Sequence, residues 1–182
     1  MSFSLAEQLR ASHVKRWQIV NVSRTQNLAE HHFNVTLIVG QLARHCRDKR
    51  LLDPQYALRL MYWSLSHDMV EVRTGDTPTP YKRVLEQVGG PDIIDKSEEV
   101  VDPEYIADKR RIAGTPIEMY VEIADLIEAI WFLSDHGIGK SAVAVRAGLE
   151  ASLDRCVQKW RGVFRELDID FAVCRVSEEI GI

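Results

Sequence analysis

Residues 115–134 read TPIEMYVEIADLIEAIWFLS, a proline-led start and then apolar residues recurring every third or fourth position around a central acid, Asp125. Thr115-Pro116-Ile117-Glu118 has capping-box spacing with proline at the first helical position, where a backbone N–H has no helical partner to lose. The pattern predicts a strongly apolar helix that runs to about Ser134 and stops before Gly137 and Gly139. The same period recurs along the rest of the chain, with neither Asn-Gly hairpin turns nor sustained two-residue alternation. The 182 residues are therefore read as an all-α bundle, one domain spanning positions 1–182.

Upstream, a short helix is expected over roughly Leu5 to Ser12, and His13 to Gln26 crosses to the next one carrying Arg16, Trp17, Ile19 and Arg24. Asn27-Leu28-Ala29-Glu30 has capping-box spacing, so a helix begins at Leu28 with His31 in its first turn and Val35, Ile38 and Leu42 on one face. Asp53-Pro54 reads as cap and first helical residue, and helical spacing continues to Gly75. That long helix would carry His67, Asp68 and Glu71 on one face, since they are three and four residues apart. Thr77-Pro78-Thr79-Pro80 is read as a stiff loop directly after Asp76, because each proline lacks a donor and pushes its predecessor out of helical geometry. Glu86 to Arg111, broken by Gly89-Gly90-Pro91 and Asp102-Pro103, reads as a charged surface excursion of weak helices. A last helix is expected from about Ser141 to Leu167.

Lys and Arg number 23 against 27 Asp and Glu, a net charge of −4, so there is no global basic field to hold a nucleic acid. The longest apolar run, Ala129 to Leu133, is five residues, against about 20 for a membrane-spanning helix. Met1 to Leu9 has no basic start ahead of an apolar stretch, which predicts a cytoplasmic protein with no membrane partner. Cys46, Cys156 and Cys174 are isolated and read as reduced apolar residues.

Three ionisable sites on separate helices remain: His31, the pair His67-Asp68, and Asp125. Each alone is an ordinary satisfied core histidine or ion-paired aspartate. Together they are imidazoles and carboxylates, the ligands a borderline divalent metal selects. Glu71 adds a base beside them, and Asp76 with Thr77 and Thr79 follows the helix end, where hydroxyls and backbone donors can meet an oxyanion.

These residues resemble the HD-domain phosphohydrolases, and more closely their 5'-deoxynucleotidase branch. The resemblance rests on KRW at Lys15 to Trp17, R-x-x-N-x-A-E-H ending at His31, HDMVE at His67 to Glu71, TGDTPTP at Thr74 to Pro80, and Ala124-Asp125. It implies an HD-domain helical bundle with a divalent metal (Co, Mn, Zn, Fe or Mg) on His31, His67, Asp68 and Asp125. It further implies a water oriented or deprotonated by Glu71, a 5'-oxygen protonated by Asp76 and a phosphate clamped by Arg16. Trp17 resembles the family's sugar gate, its ring filling the space a 2'-hydroxyl would need. His32 departs from the family pattern, and a register shift would make it the ligand; the Ala29-Glu30-His31 match and the apolar residues four and seven positions on favour His31.

The short chain and the run RWQIV look most like the phage members that hydrolyse dATP to deoxyadenosine and triphosphate. Ile19 would then lie against the purine, Thr77, Pro78, Thr79 and Pro80 beside the substrate, and Lys82, with Arg24 and Arg83, near the distal phosphates. A 5'-deoxynucleotidase acting on deoxynucleoside monophosphates is the alternative, and a non-catalytic nucleotide-binding module a third reading. A homo-oligomer is expected of so small a helical enzyme, with Trp63, Trp131 and Trp160 serving either the core or an interface.

Overall fold

A computed structural model of the chain describes residues 3–182, and among them every named element is helical. The helices are α1 (Leu5–Gln8), α2 (Leu28–His45), α3 (Pro54–Ser66), α4 (Glu71–Thr74), α5 (Thr79–Gly89), α6 (Ile93–Val101), α7 (Pro103–Ile112), α8 (Pro116–His136), α9 (Gly139–Val163) and α10 (Ile169–Ile180). Short 3-10 turns follow α1 and precede α3. None of these helices is long and apolar enough to cross a membrane.

The apolar helix expected from residue 115 is α8, and it is the central one. Tyr120, Ile123, Ile127 and Phe132 are fully buried, and α2, α3, α7 and α9 all pack on it. From α2, Val35, Val39 and Leu42 meet that surface; Leu60 and Trp63 come from α3, and Ile169, Ala172 and Val176 from α10. Fully burying one large aliphatic side chain contributes about 1.5–3 kcal/mol, so this shared core fixes where α2, α3 and α8 stand.

The start of α2 uses half of the expected capping box. The Asn27 side chain accepts from the Glu30 N–H at 2.9 Å, but the Glu30 carboxylate turns away to Arg24. The crossing segment before it is tied down at both ends by isolated antiparallel bridges, Lys15 to Asn27 and Val22 to Gly137. Arg16 and Trp17 are thereby strapped beside the first turn of α2.

Four expectations need correction. The helix from Asp53 ends at Ser66 rather than Gly75, because two of its carbonyls are claimed by side chains. The His67 ring Nδ1 lies 3.0 Å from the Ser64 carbonyl, and the Tyr105 hydroxyl donates to the His67 carbonyl. The backbone then tightens into three-residue turns, with the N–H groups of Met69, Glu71, Val72 and Arg73 reaching only three residues back. Glu71 therefore stands on its own short helix, α4, and does not share a helical face with His67.

Second, Thr79 and Pro80 open α5 rather than extending the loop, since proline is tolerated in a first turn. Third, residues 86–111 are broken as expected, but α7 is no surface excursion: Tyr105, Ile106 and Ile112 enter the core. Fourth, the last expected helix is α9, which stops at Val163 short of Leu167, and a further helix that was not expected, α10, follows it, its start capped by the Asp168 side chain, which accepts from the Phe171 N–H.

Candidate active site

His31, His67, Asp68 and Asp125 come from α2, from the turn after α3 and from α8, and one ligand atom of each lies within 4.8 Å of all the others. His31 Nε2 is 3.3 Å from His67 Nε2, 3.2 Å from Asp125 Oδ1 and 3.7 Å from Asp68 Oδ2, and His67 Nε2 is 3.5 Å from Asp68 Oδ2. His32, though buried, lies outside this group, and its Nε2 has no hydrogen-bond partner.

The donor set fits a divalent metal for a specific reason. His31 Nδ1 faces the Glu128 carboxylate at 2.8 Å and His67 Nδ1 faces a carbonyl, both pure acceptors, so each neutral ring carries its hydrogen on Nδ1. Both Nε2 lone pairs then point into one space with two carboxylates. Asp125 Oδ1 is sealed from solvent without a hydrogen-bond partner, although the rest of its side chain stays open. Ligand atoms about 2.1 Å from a common ion lie roughly 3–4 Å apart, which matches these separations.

Charge around the group follows the same logic. Burial and the Arg16 charge oppose protonation of His31, but the Asp125 and Glu128 carboxylates outweigh them and lift its pKa to about 9. Burial pushes the Asp68 carboxyl up, yet His67, Arg16 and His31 hold it well below the usual range. Glu71 is almost fully buried, and burial with the nearby Asp68 charge raises it to about 8 despite Lys82, whose Nζ lies 3.5 Å from Oε1. The other Glu71 oxygen, Oε2, is buried without a partner. Asp76 is half-buried, and that burial raises it too, against Arg16 and Lys82. It follows Gly75, whose φ of +78° turns the chain at the end of α4.

Arg16 reaches into the cluster, 3.4 Å from Asp68 and 4.0 Å from Asp125, with its Nε buried and unpartnered. Trp17 lies half-buried with its ring stacked flat on Phe132. Ile19 is 60% exposed, Thr77 and Pro78 are half-buried, and Thr79 and Pro80 are exposed at the start of α5. Lys82 is half-buried against Glu71 rather than a free surface lysine. Arg24 is pulled away from any phosphate role by Glu30, at 2.6 and 3.0 Å, and by His136 at 2.9 Å.

Glu128, Gln26 and Asn34 escaped the sequence reading. Glu128 is fully buried and accepts from His31, Gln26 and Asn34. Its signal was available: a second acid three residues after Asp125 on the same face of a helix otherwise apolar there.

Comparison with known proteins agrees with this geometry. The model of the family described as 5'-deoxynucleotidase YfbR-like matches residues 3–129. A dATP triphosphohydrolase of Cyanophage S-2L is 34% identical over 154 residues, 82% of this chain and 80% of that protein. A 5'-deoxynucleotidase YfbR of Salmonella typhi is 29% identical over 150 residues, 82% of this chain and 71% of its own. Among solved structures, the Cyanophage S-2L HD phosphohydrolase DatZ, bound to dA and one catalytic Zn2+ ion, superposes with a TM-score of 0.80 at 24% identity, covering 100% of this chain and 98% of that one. With most of its length matched and the metal-type cluster in place, the chain belongs to the YfbR-like family of HD-domain phosphohydrolases.

Proposed function

We propose that the protein is a metal-dependent phosphohydrolase that cleaves 2'-deoxynucleotides between the 5'-oxygen and the α-phosphorus, with dATP as leading substrate and deoxyadenosine and triphosphate as products. The observation that carries this reading is the convergence of the two-His, two-Asp group with Arg16 and the clamped Trp17. Relatives with dATP triphosphohydrolase activity, from three phages, support the triphosphate.

His31, His67, Asp68 and Asp125 would hold the metal, and zinc, present in the similar DatZ structure, is the first candidate; manganese, cobalt, iron and magnesium suit the same donors. When bound, such a metal polarises the phosphoryl group and makes water a nucleophile near neutral pH. Arg16 clamps the α-phosphate, since a guanidinium matches it with two parallel hydrogen bonds. Glu71, buried beside the cluster with one carboxylate oxygen unpartnered, takes the proton of the attacking water as the new O–P bond forms. Asp76, half-buried just after the end of α4, gives a proton to the departing 5'-oxygen as the P–O bond breaks. Trp17 lies against the sugar where a 2'-hydroxyl would clash, Ile19 lies by the purine, Thr77 to Pro80 flank the substrate, and Lys82 faces the distal phosphates.

One observation favours the monophosphate alternative: Arg24, a cation that extra phosphates would use, is already paired with Glu30. Phosphorus NMR of the protein with Mn or Co and, separately, dAMP, dATP and ATP tests both readings. Tripolyphosphate from dATP and little from ATP is expected. Orthophosphate from dAMP with dATP untouched would make the protein a deoxynucleotide monophosphatase instead.

The working form is proposed to be a cytoplasmic homo-oligomer. Packed against each other, α2 and α3 leave Phe33, Leu37, Leu58, Met61 and Leu65 exposed, an uncharged apolar set suited to a second copy of the chain. Light scattering that gives a monomer at micromolar concentration would refute this.

A further inference from the structure

Trp17 holds a left-handed backbone, φ +63°, which a bulky residue adopts only when its surroundings enforce it. Its indole Nε1–H donates to Gln26 Oε1 at 2.8 Å, and its ring is parallel to Phe132 within 1°, centroids 5.6 Å apart. Next door, the Arg16 N–H donates to the Gln26 carbonyl at 2.9 Å, so one residue holds the backbone of Arg16 and the side chain of Trp17. Gln26 has no exposed surface. The other end of its amide, Nε2, donates to Glu128 Oε1, and Glu128 Oε2 accepts from His31 Nδ1.

The amide has only one orientation that works. An indole N–H can only donate and a carboxylate can only accept, so a flipped amide would fail at both ends. The result is an unbroken hydrogen-bonded line, Trp17 to Gln26 to Glu128 to His31, whose last member turns its Nε2 toward His67, Asp68 and Asp125.

We infer that Gln26 and Glu128 are positioning residues that couple sugar selection at Trp17 to metal binding at His31. Gln26 fixes the indole and, through the backbone, Arg16; Glu128 fixes the tautomer and tilt of the His31 ring. The sugar half rests on the function proposed above. The metal half does not.

The experiment uses the full chain and three readouts: Co2+ affinity measured with the metal alone, the ratio of kcat/KM for dATP over ATP, and thermal midpoint. Glu128→Gln is expected to weaken Co2+ binding about 10- to 100-fold. Gln26→Leu removes both amide bonds at similar volume and is expected to lower the dATP to ATP ratio about tenfold or more, because a small misplacement of a positioning surface is amplified in the rate. A merely structural role would lower the midpoint and slow both nucleotides alike.

Gln26→Glu sets two carboxylates against each other, whereas the Gln26→Glu/Glu128→Gln double variant restores one donor and one acceptor. The double variant is expected to recover the sugar ratio relative to Gln26→Glu alone, while its Co2+ affinity stays weakened as in Glu128→Gln. An unchanged ratio in folded Gln26→Leu, or no recovery in the double variant, overturns the coupling. Wild-type protein that releases product from no deoxynucleotide would overturn the proposed function instead, and the Co2+ measurements on Glu128→Gln would still decide the metal half.

Discussion

Arg16 and Asp68 form an ion pair across 52 residues of chain, guanidinium nitrogen to carboxylate oxygen at 3.4 Å, inside the group of residues suited to a metal. The same guanidinium lies 4.0 Å from Asp125, and its side chain is only 12% exposed. A fixed positive charge here does two opposed things. It repels a divalent cation on the same carboxylates, and it attracts a phosphate that must approach that cation. Replacing Arg16 by Met is therefore expected to tighten Mn2+ or Co2+ binding several-fold while lowering kcat/KM for dATP by about 100-fold or more, the usual effect of losing one charge-stabilising donor. Calorimetry with metal alone and steady-state kinetics check the two signs separately. Weaker metal binding in the variant would mean that Arg16 organises the ligands rather than opposing their cation.

Asp68 has no such ambiguity. It stands within 3.7 Å of both ring nitrogens, and its removal leaves His31, His67 and Asp125 without the ligand between them. A metal that binds only the folded chain stabilises it by about 2.7 kcal/mol at a concentration one hundred times its dissociation constant. Wild-type protein is thus expected to melt higher with added Co2+, while Asp68→Ala shows neither the shift nor turnover. Retained turnover by a metal-bound Asp68→Ala protein would remove Asp68 from the mechanism.

What the sequence reveals here depends on how local the determining interaction is. α8 was legible because its first-turn proline and its apolar period both lie within residues 115–134, although the expected capping box does not form and the Thr115 hydroxyl donates to the Ile112 carbonyl instead. The gathering of His31, His67, Asp68 and Asp125 was legible only through the family's motifs, since no local pattern says which helices meet. The break after Ser66 was not legible, because one of its two causes is the hydroxyl of Tyr105, 38 residues away, taking the His67 carbonyl. Glu128 stood in the sequence as a second acid on the face of Asp125, but its part in the site shows only when Gln26, His31 and Asn34 are seen around it.

Asp48 shows the same non-locality and offers a stability test away from the site. Buried at 5% exposure, its carboxylate accepts from the Arg50 backbone at 3.0 Å, from Arg50 Nε at 2.8 Å, and from the hydroxyls of Tyr120 at 3.2 Å and Tyr56 at 3.4 Å. Tyr120 is fully buried on α8, so losing the acceptor strands a hydroxyl in the core. Asp48→Ala is expected to cost about 1–3 kcal/mol in urea unfolding, the penalty for a buried hydroxyl left without its acceptor, since Arg50 stays solvated. Asp48→Asn, which keeps an acceptor, is expected to cost less, and neither should change KM in the folded protein.

Acid sensitivity should appear first at the N-terminus. Hydrogen bonds from Arg73 and from the Ser4 backbone hold the Glu7 carboxyl down at about 2, and Arg73 also covers the Phe3 ring at 4.2 Å and donates to the Val101 carbonyl. Because the folded value lies below the roughly 4.3 of an unfolded glutamate, the clamp is complete above that pH and is lost as pH falls toward 2. The 3-10 turn after α1 packs on α2 and α4, so α1 should loosen while the core holds. Protection of the amides over residues 5–9, corrected for the pH dependence of intrinsic exchange, is expected to fall between pH 5 and about 3 in the wild type, with core amides of α8 still protected. In Arg73→Met the same amides should exchange quickly at both pH values, and an unchanged acid response in that variant would assign the sensitivity to another carboxylate.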